Sequence, residues 1–368
     1  MSVAASVADT PLLEVEHVKV LFPVRTGLLI DRTVAHVHAV NDVSFSLREG
    51  ETLGIVGESG CGKTTLARCL VRLVTASEGA VRFRGQEITH ANRKQLQPVR
   101  RHMQMVFQDP YASLNPRKRV GQIVSSPLKV QHIDGDVDER VRTILERVGL
   151  NPEHVNRFPH EFSGGQRQRI GVARALIVEP TLIILDEPVS ALDVSIQAQV
   201  INLLDDLQDE FRLSYIIVAH DLSVVRHVSD RIMVMYLGKV MELSPAEELY
   251  TKPIHPYTNA LLGAIPIPDP RENRERKRIV VSGEPPNPIS PPSGCVFHTR
   301  CPRATDICRD VEPPLAEYAN GHIAACHHPV NVTREEATAA TRSPTSPLTA
   351  GEEMPETHDF ARPAAETG

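Results

Sequence analysis

The stretch TLGIVGESGCGKTTLARCLVRLV (52–74) decides the fold of this chain. Its first part, TLGIV (52–56), is wholly apolar, which indicates a buried parallel strand. The next part, GESGCGKT (57–64), matches the pattern G-x-x-x-x-G-K-[ST], and the helical sequence TLARCLVRLV (65–74) follows it. A strand, a glycine-rich turn and a helix in this order are the setting in which the pattern forms a phosphate-binding loop. A chance glycine-rich turn would not explain that setting.

The residue types of this loop suit the binding of a nucleoside triphosphate. Glycines let backbone N–H groups point at phosphate oxygens, and the N-terminus of the following helix adds partial positive charge. Lys63 supplies a positive charge for the β- and γ-phosphates, and the Thr64 hydroxyl is a ligand for Mg²⁺. We therefore predict that ATP and Mg²⁺ bind at Gly57, Glu58, Ser59, Gly60, Cys61, Gly62, Lys63, Thr64 and Thr65.

A pair of acidic residues follows a second apolar strand, TLIIL (181–185). Neighbouring residues of a strand point in opposite directions, so Asp186 can face the metal ion while Glu187 faces the attacking water. We predict that Asp186 is a Mg²⁺ ligand and that Glu187 positions and deprotonates the water. Two ordinary solvated carboxylates would be the simpler interpretation of an isolated Asp-Glu pair. The apolar strand before the pair and the phosphate loop argue against it.

The sequence FSGGQ (162–166) stands at the start of the helical stretch QRQRIGVARALIV (166–178). Gly164 and Gly165 permit close approach of the backbone, Ser163 offers a hydroxyl, and the helix presents its N-terminus. These features predict a second anion site, one that has no lysine.

With these motifs in this order, residues 12–265 resemble the ATP-binding subunits of ABC transporters. The resemblance implies that FSGGQ closes over ATP held by a second subunit, so that ATP joins two subunits and hydrolysis releases them. The residues that match the family's motifs are Gln108 in MVFQDP (a ligand of Mg²⁺ and water), Ser163, Gly164, Gly165 and Gln166 (the signature), Asp193 in SALD, His220 in IVAHD (the γ-phosphate contact) and Phe22 (stacking on adenine, with His36 or His38 as further contributors).

The pattern of apolar runs predicts an α/β fold, which the resemblance identifies as a P-loop ATPase cassette with a mainly parallel central sheet. Alternating residues at 12–22 and 40–47 predict strands of an antiparallel β subdomain, with an irregular insert at 23–38 between them. The stretch at about 109–178 predicts an inserted helical subdomain. Further buried strands are expected at MQMVF (103–107), TLIIL (181–185), SYIIVA (214–219) and RIMVMY (231–236), and a helix at VSIQAQVINLLDDLQDEF (194–211).

Proline divides the chain, because 18 of the 29 prolines lie after residue 250. We expect a flexible N-terminus at 1–11 and a nucleotide-binding domain at 12–263. Residues 264–330 are rich in proline and cysteine and predict a small C-terminal domain. Residues 331–368 have almost no large apolar side chains, so they are expected to form a disordered tail.

Composition excludes several other classes of protein. The formal net charge of −6 argues against bulk affinity for nucleic acid. No stretch approaches the ~20 apolar residues of a spanning helix, and the N-terminus has no secretory signal. We expect a cytosolic chain that reaches the cytoplasmic face of the membrane, as a peripheral subunit, through its partners.

The resemblance extends to about residues 12–328 and is strongest with oligopeptide and dipeptide importers, a group that also includes nickel importers. QDPYASLNPR (108–117), PHEFSGGQRQRIGVARAL (159–176), HPYTNALL (255–262) and SGCVFHTRCP (293–302) carry it. The insert at 26–40 resembles the second of the two ATPases in such importers. The resemblance implies a second ATPase subunit, in a heterodimer, with two transmembrane permeases and an extracytoplasmic binding protein as partners.

Four cysteines follow the spacing C-x5-C-x6-C-x17-C, at Cys295, Cys301, Cys308 and Cys326. In a cytosolic chain, cysteines indicate thiols or metal ligands rather than disulfides. The spacing lacks the short pairs of most zinc sites, whereas Cys₄ ligation of iron–sulfur clusters tolerates more varied spacing. The resemblance also implies a [4Fe–4S] cluster. Zinc and unmetallated thiols remain the alternatives.

Two other functions agree less well with the sequence than that of a peptide-importer ATPase. Soluble ABC proteins of DNA repair or translation carry two cassettes or long coiled coils, and this chain has one cassette and no sustained heptads. A nucleotide sensor without useful hydrolysis is disfavoured by Glu187 and His220, which complete the hydrolytic set.

Overall fold

The computed structural model of the chain describes residues 11–26, 32–265, 283–318 and 321–342. No helix within these ranges is both long and apolar enough to cross a membrane. Its strands are β1 (Leu13–Thr26), β2 (Arg32–Leu47), β3 (Thr52–Val56), β4 (Glu78–Phe83), β5 (Gln86–Glu87), β6 (Met103–Val106), β7 (Leu182–Asp186), β8 (Ser214–Val218), β9 (Arg231–Tyr236), β10 (Lys239–Pro245), β11 (Ala316–Glu317), β12 (Ile323–Ala324) and β13 (Thr341–Arg342).

Helices connect most of the strands, and short 3₁₀ turns at Pro152–Asn156 and Pro159–Glu161 precede the longest helix of the inserted region. The α-helices are α1 (Lys63–Leu70), α2 (Arg93–His102), α3 (Pro110–Ser113), α4 (Val120–Val124), α5 (Ser126–Val130), α6 (Val137–Arg147), α7 (Gly164–Leu176), α8 (Val194–Phe211), α9 (Leu222–Val225), α10 (Ala246–Thr251), α11 (Pro256–Ala264), α12 (Asp306–Asp310) and α13 (Arg334–Ala339).

Two sheets organise these elements. The strand order in the large sheet is β13-β11-β12-β10-β9-β3-β8-β7-β6, and β9, β3, β8, β7 and β6 run parallel to one another. The small sheet has the order β2-β1-β4-β5 and is antiparallel throughout. The predicted cassette fold, with its parallel core, antiparallel β subdomain and helical insertion between β6 and β7, is confirmed.

The buried side chains form one cluster on each face of the large sheet. In β7, Ile183 and Leu185 belong to one cluster, and Leu182 and Ile184 belong to the other. Successive side chains of a strand point to opposite faces, so a strand covered on both sides is apolar at every position. The first cluster includes the inserted helices and α8, and the second includes α1 and the small sheet.

The insert expected to be irregular at 23–38 is different in the structure. Residues 23–26 and 32–38 continue β1 and β2 as an antiparallel hairpin, in which Val24 pairs with Ala35 and Phe22 with Val37. Irregular structure was expected because the sequence PVRTGLLIDRTVAHVH contains proline and glycine, which disfavour strands. The expectation was wrong because register shifts along the β1–β2 pair accommodate such residues within the strands. The tip of the insert lies outside the described residues.

The proline- and cysteine-rich segment joins the large sheet. Strand β12 pairs with β10, and β11 and β13 follow it at the edge of the sheet. Val296 and Phe297 are buried in the first core cluster, and Leu315 and Ile323 are in the second. The part of 264–330 that the structure describes therefore extends the core of the nucleotide-binding domain.

Residues 331–342, predicted to belong to a disordered tail, are ordered and include a helix. Helix α13 has a complete capping box, in which the Thr333 hydroxyl accepts the N–H of Glu336 and the Glu336 carboxylate accepts the N–H of Thr333. Glu336 also forms an exposed ion pair with Lys252. Local capping can order a short polar helix, and a low content of apolar residues does not reveal it. Residues 1–10 and 343–368, for which flexibility was predicted, lie outside the described residues.

A buried carboxylate fixes the C-terminal segment to the sheet. Glu242 in β10 is fully buried, and its carboxylate accepts the backbone N–H groups of Ile254 (2.7 Å) and His255 (2.9 Å). The same carboxylate lies 2.6 Å from Nε2 of His322, which is also buried and directly precedes β12. The Glu242 carboxylate thus binds polar groups of the segment between α10 and α11 and of the segment before β12. These partners make a fully buried carboxylate stable.

Helix α7 packs very closely on α8. A Cβ atom added to Gly165 would lie 2.5 Å from Cγ2 of Ile196, closer than real Cβ contacts come. A Cβ on Gly164 would lie 3.3 Å from Cδ2 of Leu192, where the neighbour can move aside. Gly165, the second glycine of FSGGQ, is therefore required for the packing of α7 on α8, in addition to its predicted contact with ATP held by a second subunit.

We expect Glu242→Ala to lower the free energy of unfolding by about 3 kcal/mol, because it leaves buried N–H groups and His322 without their acceptor. Glu312→Ala is the control, since it removes an exposed partner of Lys239; such pairs contribute at most about 1 kcal/mol. The chain has no tryptophan, so urea unfolding is followed by circular dichroism. Equal losses in the two variants would contradict the role of Glu242.

We expect Gly165→Ala to lower the free energy of unfolding by about 1–2 kcal/mol, since overpacking against Ile196 exceeds the gain in helix propensity. Gly164→Ala is the matched control and should be close to neutral. In an Ile196→Ala background the cost of Gly165→Ala should largely disappear. The same cost in both backgrounds would mean that the contact with Ile196 is not the cause.

Candidate nucleotide site

The residues predicted to bind ATP and to catalyse its hydrolysis lie at the carboxyl ends of four neighbouring strands of the large sheet. The phosphate loop follows β3, Gln108 follows β6, Asp186 ends β7, and His220 follows β8. These strands are parallel neighbours, so their carboxyl ends lie side by side. Crevices at this edge of an open parallel sheet are where such folds bind ligands.

Thr64 and Asp186 contact each other across this edge. The Thr64 hydroxyl donates a hydrogen bond of 2.8 Å to Oδ1 of Asp186. The two residues follow β3 and end β7, which are separated only by β8. The two predicted Mg²⁺ ligands therefore lie within reach of one ion.

The second carboxylate oxygen of Asp186, Oδ2, is buried and has no hydrogen-bond partner. Burial raises the pKa of Asp186, although the hydrogen bond from Thr64 and the nearby cation Arg68 oppose the shift. An unpaired oxygen of a buried carboxylate is costly unless a cation lies beside it. The donor set of one carboxylate and one hydroxyl suits Mg²⁺, which prefers oxygen ligands.

Glu187 lies between two other predicted residues. Its Oε2 accepts a hydrogen bond of 2.7 Å from the side-chain amide of Gln108, and the same oxygen lies 3.8 Å from Nδ1 of His220. The side chains of Gln108 and His220, from the ends of β6 and β8, thus both approach one carboxylate oxygen of Glu187, at the end of β7. Such a carboxylate can hold a water molecule and accept a proton from it.

The backbone of Glu187 is strained, with a φ of 46° in the left-handed region. A non-glycine residue in that region costs on the order of 1 kcal/mol or more. Three hydrogen bonds compensate. The N–H of Glu187 donates to the carbonyl of Val218 (2.9 Å), and its own carbonyl accepts from the N–H (3.3 Å) and hydroxyl (3.1 Å) of Ser190. The strain turns the chain sharply after β7 and directs adjacent carboxylates to different neighbours.

The phosphate loop needs glycine at two crowded positions. Gly57 has a φ of +151°, and a Cβ there would lie 2.2 Å from the carbonyl oxygen of Met235. Gly62 has a φ of +106°, and a Cβ there would lie 2.1 Å from the carbonyl oxygen of Ala39. The loop is thus packed against β9 on one side and against the long β1–β2 hairpin on the other.

The Lys63 side chain is buried inside this loop. Its ammonium donates hydrogen bonds to the carbonyls of Gly57 (2.7 Å) and Glu58 (2.9 Å) and lies 3.8 Å from Sγ of Cys61. Burial raises the pKa of the Cys61 thiol, although Lys63 opposes the shift. Cys61 is therefore a neutral packing residue of the loop.

The signature residues form the cap of helix α7. The Ser163 hydroxyl accepts the N–H of Gln166 (3.3 Å), and the Gln166 side chain accepts the N–H of Ser163 (3.0 Å). This capping box leaves the first N–H groups of the helix at an exposed end, as an anion site requires. The structure describes one chain, so the contact of the signature with a second subunit stays a prediction.

The loop between Glu187 and α8 is held by a residue that the sequence did not suggest. The Gln197 amide donates to the carbonyls of Val189 (3.1 Å) and Leu192 (2.9 Å). Asp193, at the N-cap of α8, is exposed and makes no side-chain capping bond. No motif marks Gln197, because its partners are backbone atoms.

Two other missed residues hold the loop of Gln108 against the helical insertion. The Arg174 guanidinium donates to the carbonyl of Ser113 (2.7 Å), and the Arg167 guanidinium lies 3.8 Å from the ring centroid of Tyr111. Both arginines belong to α7, the signature helix. The residues that follow Gln108 therefore contact the helix that carries FSGGQ.

Phe22, predicted to stack on adenine, lies in β1 opposite Val37 and is 42% exposed. The same hairpin contacts the phosphate loop, since Ala39 lies against Gly62. The side chain is available to a ligand beside the loop, and the adenine contact stays a prediction.

The four C-terminal cysteines lie near one another. The N–H of Cys295 donates to the carbonyl of Cys308 (2.9 Å), both residues are buried in one core cluster, and Cys301 packs against that cluster. Burial raises the pKa of Cys295 to about 11. Burial also raises the pKa of Cys326 well above its usual value, against the opposing hydrogen bond from the backbone of His328.

The expected metal site at these cysteines is not supported by the geometry. No group of three or more His, Cys, Asp or Glu side chains, within the ranges that the structure describes, is arranged to hold a metal ion. This result argues most directly against a single zinc ion, which needs its ligands around one point.

Comparison with known families divides the chain into two matched regions. Residues 40–190 match the ABC transporter family. Residues 241–308 match the C-terminal region of oligopeptide/dipeptide transporters. The second match spans β10, α10, α11 and the first three of the four cysteines.

Curated relatives match over nearly their full length. The oligopeptide transport ATP-binding protein AppF of Bacillus subtilis is 56% identical over 319 residues, which are 86% of this chain and 97% of that protein. The oligopeptide transport ATP-binding proteins OppF of Haemophilus influenzae and Escherichia coli are 53% and 52% identical over 86% of this chain and 96% and 95% of their own lengths.

Solved structures agree with the fold. The chain resembles cbiO1 from Clostridium perfringens, part of the ABC transporter complex cbiONQ, with a TM-score of 0.55 and 28% identity over 66% of this chain and 92% of that chain. It also resembles the dimeric bacterial ABC transporter cassette MJ0796, with a TM-score of 0.56 and 26% identity over 64% of this chain and 98% of that one. The chain therefore belongs to the ABC transporter family of ATP-binding proteins, in the group that carries the oligopeptide/dipeptide transporter C-terminal region.

Proposed function

We propose that this chain hydrolyses ATP to drive the uptake of dipeptides or oligopeptides by a membrane importer. The chain is an ABC-type ATPase, and the convergence of Gln108 and His220 on Glu187 beside Asp186 supports turnover rather than nucleotide sensing. The assignment of peptide as the solute is supported by the relatives, which are oligopeptide transport ATP-binding proteins, and by the C-terminal region at 241–308.

ATP binds with its phosphates in the loop 57–64 in this proposal. Lys63, whose ammonium already lies among loop carbonyls, turns to the β- and γ-phosphates. Thr64 and Asp186 hold Mg²⁺, with Gln108 as a further ligand through water, and Phe22 covers the adenine. When bound, Mg²⁺ offsets the negative charge of the phosphates and orients them for in-line attack.

Glu187 positions and deprotonates the attacking water in this proposal. The Gln108 amide at 2.7 Å fixes the carboxylate, and His220 at 3.8 Å is placed to approach the γ-phosphate from the next strand. The strained backbone and the bonds to Val218 and Ser190 keep the carboxylate in place during turnover.

A second ATPase subunit completes the site. Ser163, Gly164, Gly165 and Gln166 cap the γ-phosphate of ATP held by that partner, and Asp193 faces it across the interface. The exposed N-terminus of α7 supports this arrangement, as does the dimeric form of the similar cassette MJ0796. We propose a heterodimer of two ATPases with two transmembrane permeases and an extracytoplasmic binding protein, located at the cytoplasmic face of the membrane.

The contacts between α7 and the residues after Gln108 supply a route from ATP to a permease. Arg174 and Arg167 hold Ser113 and Tyr111 against the signature helix. Tyr111 is 66% exposed, so it is available at the surface of the helical insertion. A change at Gln108 or at FSGGQ therefore moves the same surface, which we propose as the contact with the permease.

We also propose that Cys295, Cys301, Cys308 and Cys326 hold a [4Fe–4S] cluster that stabilises the C-terminal segment. Cys295 and Cys308 are buried in one core cluster and Cys301 packs against it, which supports the proposal. A cluster of four irons is wider than one ion, so its ligands need not surround a single point. The hydrolytic steps above do not involve it.

Glu187→Gln should leave ATP binding and ATP-dependent association of the ATPase pair intact but lower hydrolysis by at least about 100-fold, since the amide cannot accept a proton. Phosphate release and size-exclusion chromatography with ATP measure the two properties. Glu179→Gln is the control, because Glu179 also has a positive φ, of 57°, but precedes β7 at the opposite edge of the sheet. Hydrolysis retained by Glu187→Gln would remove Glu187 from the role of base.

Anaerobic purification should yield iron and sulfide, at about four of each per chain, because a [4Fe–4S] cluster has that composition. Cys301→Ser should lose both, whereas Cys69→Ser, which alters a buried cysteine of α1, should keep them. Zinc in place of iron, or no metal in the original chain, would contradict the cluster.

A further inference from the structure

Glu58 is an electrostatic anomaly in the phosphate loop. It follows Gly57 directly, and its carbonyl accepts a hydrogen bond of 2.9 Å from the ammonium of Lys63. A negative side chain in a loop that binds phosphates opposes binding, because like charges at short range repel strongly outside bulk water. The other elements of the loop, its N–H groups, its lysine and the helix N-terminus, all favour anions.

Arg300 neutralises this carboxylate from the C-terminal segment. Its Nη1 lies 2.7 Å from Oε2 of Glu58 and 3.3 Å from the hydroxyl of Tyr236. The Arg300 side chain is only 8% exposed. Burial lowers the pKa of the guanidinium, but the hydrogen bonds to Glu58 and Tyr236 outweigh it and raise the pKa above its usual range. The ion pair is thus buried on its Arg300 side, while the Glu58 side chain is 25% exposed, and it joins residues 242 positions apart.

The backbone of Glu58 is held by the same neighbourhood. Its N–H donates a hydrogen bond of 2.9 Å to the hydroxyl of Tyr257, at the start of α11. The ring of Tyr257 lies 5.1 Å from that of Phe297 and 4.9 Å from that of Tyr236. The N–H of Arg300 in turn donates to the carbonyl of Phe297 (3.0 Å). Side chain and backbone of Glu58 are therefore both fixed by groups that belong to, or pack on, the turn at 295–301.

We propose that Arg300 is a positioning residue for ATP: it neutralises and orients Glu58, and so makes the C-terminal segment a part of the nucleotide site. Without Arg300, the Glu58 carboxylate would turn toward the phosphates or draw Lys63 away from them. Either movement weakens the binding of ATP more than it changes the chemical step. The conformation of the turn between Cys295 and Cys301 then sets the affinity for ATP. This inference rests on the proposed nucleotide site.

The test uses the full chain with Arg300→Gln, Glu58→Gln and the double variant. Displacement of a fluorescent ATP analogue by Mg-ATP measures Kd, and ATPase assays of the assembled importer separate KM from kcat. Arg300→Gln should raise Kd and KM about tenfold, with a much smaller change in kcat. The double variant should recover to within about threefold of the original chain, because no unpaired charge remains beside the phosphates.

Two reference variants bracket these results. Arg309→Gln alters a mostly exposed arginine of the same segment, which pairs with Asp306 in α12, and should leave Kd unchanged. Lys63→Ala should abolish binding. Unchanged Kd in Lys63→Ala would overturn the nucleotide site itself.

The proposal for Arg300 fails in either of two ways. Binding of Mg-ATP by Arg300→Gln with the Kd of the original chain would show that Glu58 needs no partner. Binding by the double variant as weak as that of Arg300→Gln would show that Arg300 acts through packing alone. Should Arg300→Gln fail to fold by circular dichroism, the comparison of Glu58→Gln with the double variant carries the test, and a tenfold difference between them would also overturn the proposal.

Discussion

The parallel pairing of β3, β8 and β7 is the constraint on which the nucleotide site depends. It places the ends of these strands side by side, so that Thr64 and Asp186 meet at 2.8 Å although 122 positions separate them. The strands can be buried on both faces because they are apolar at Leu53–Val56, Tyr215–Val218 and Leu182–Leu185. The polar residues therefore begin abruptly where the sheet stops. The same pattern that drives burial also concentrates the carboxylates at the edge where we propose that a metal ion and phosphates bind.

The grouping of carboxylates at the ends of these strands is accompanied by a strained backbone and by a buried oxygen atom without a hydrogen-bond partner. Asp186 has a buried oxygen without a partner, and Glu187 has a left-handed backbone. Stable folds avoid both features unless surrounding structure enforces them. Here the enforcing contacts are the hydrogen bonds to Val218 and Ser190. Their position beside the predicted base is consistent with a site built to hold a cation and a water rather than to maximise stability.

The sequence predicted the parallel core and the helical insertion, and it singled out Gln108, Glu187 and His220, because each follows a strongly apolar strand or belongs to an ordered motif. It did not predict the β1–β2 extension, where register shifts accommodate proline, or helix α13, where capping replaces apolar burial. Gln197 was missed because it binds backbone carbonyls. The cysteine spacing predicted a metal site that the geometry of the described residues does not support, because spacing along the chain does not fix the positions of four sulfur atoms.

The C-terminal segment shows why domain boundaries drawn from composition can mislead. Its proline and cysteine content separates it from the cassette in sequence, yet Glu242 binds it to β10 and β12 continues the large sheet. Phe297 packs against both Tyr236 and Tyr257, and the Tyr257 hydroxyl accepts the N–H of Glu58 in the phosphate loop. A segment that supplies part of the core beneath a loop also influences the shape of that loop, since packed interiors transmit small displacements. The nucleotide site of this chain is therefore a product of the cassette and the C-terminal segment together.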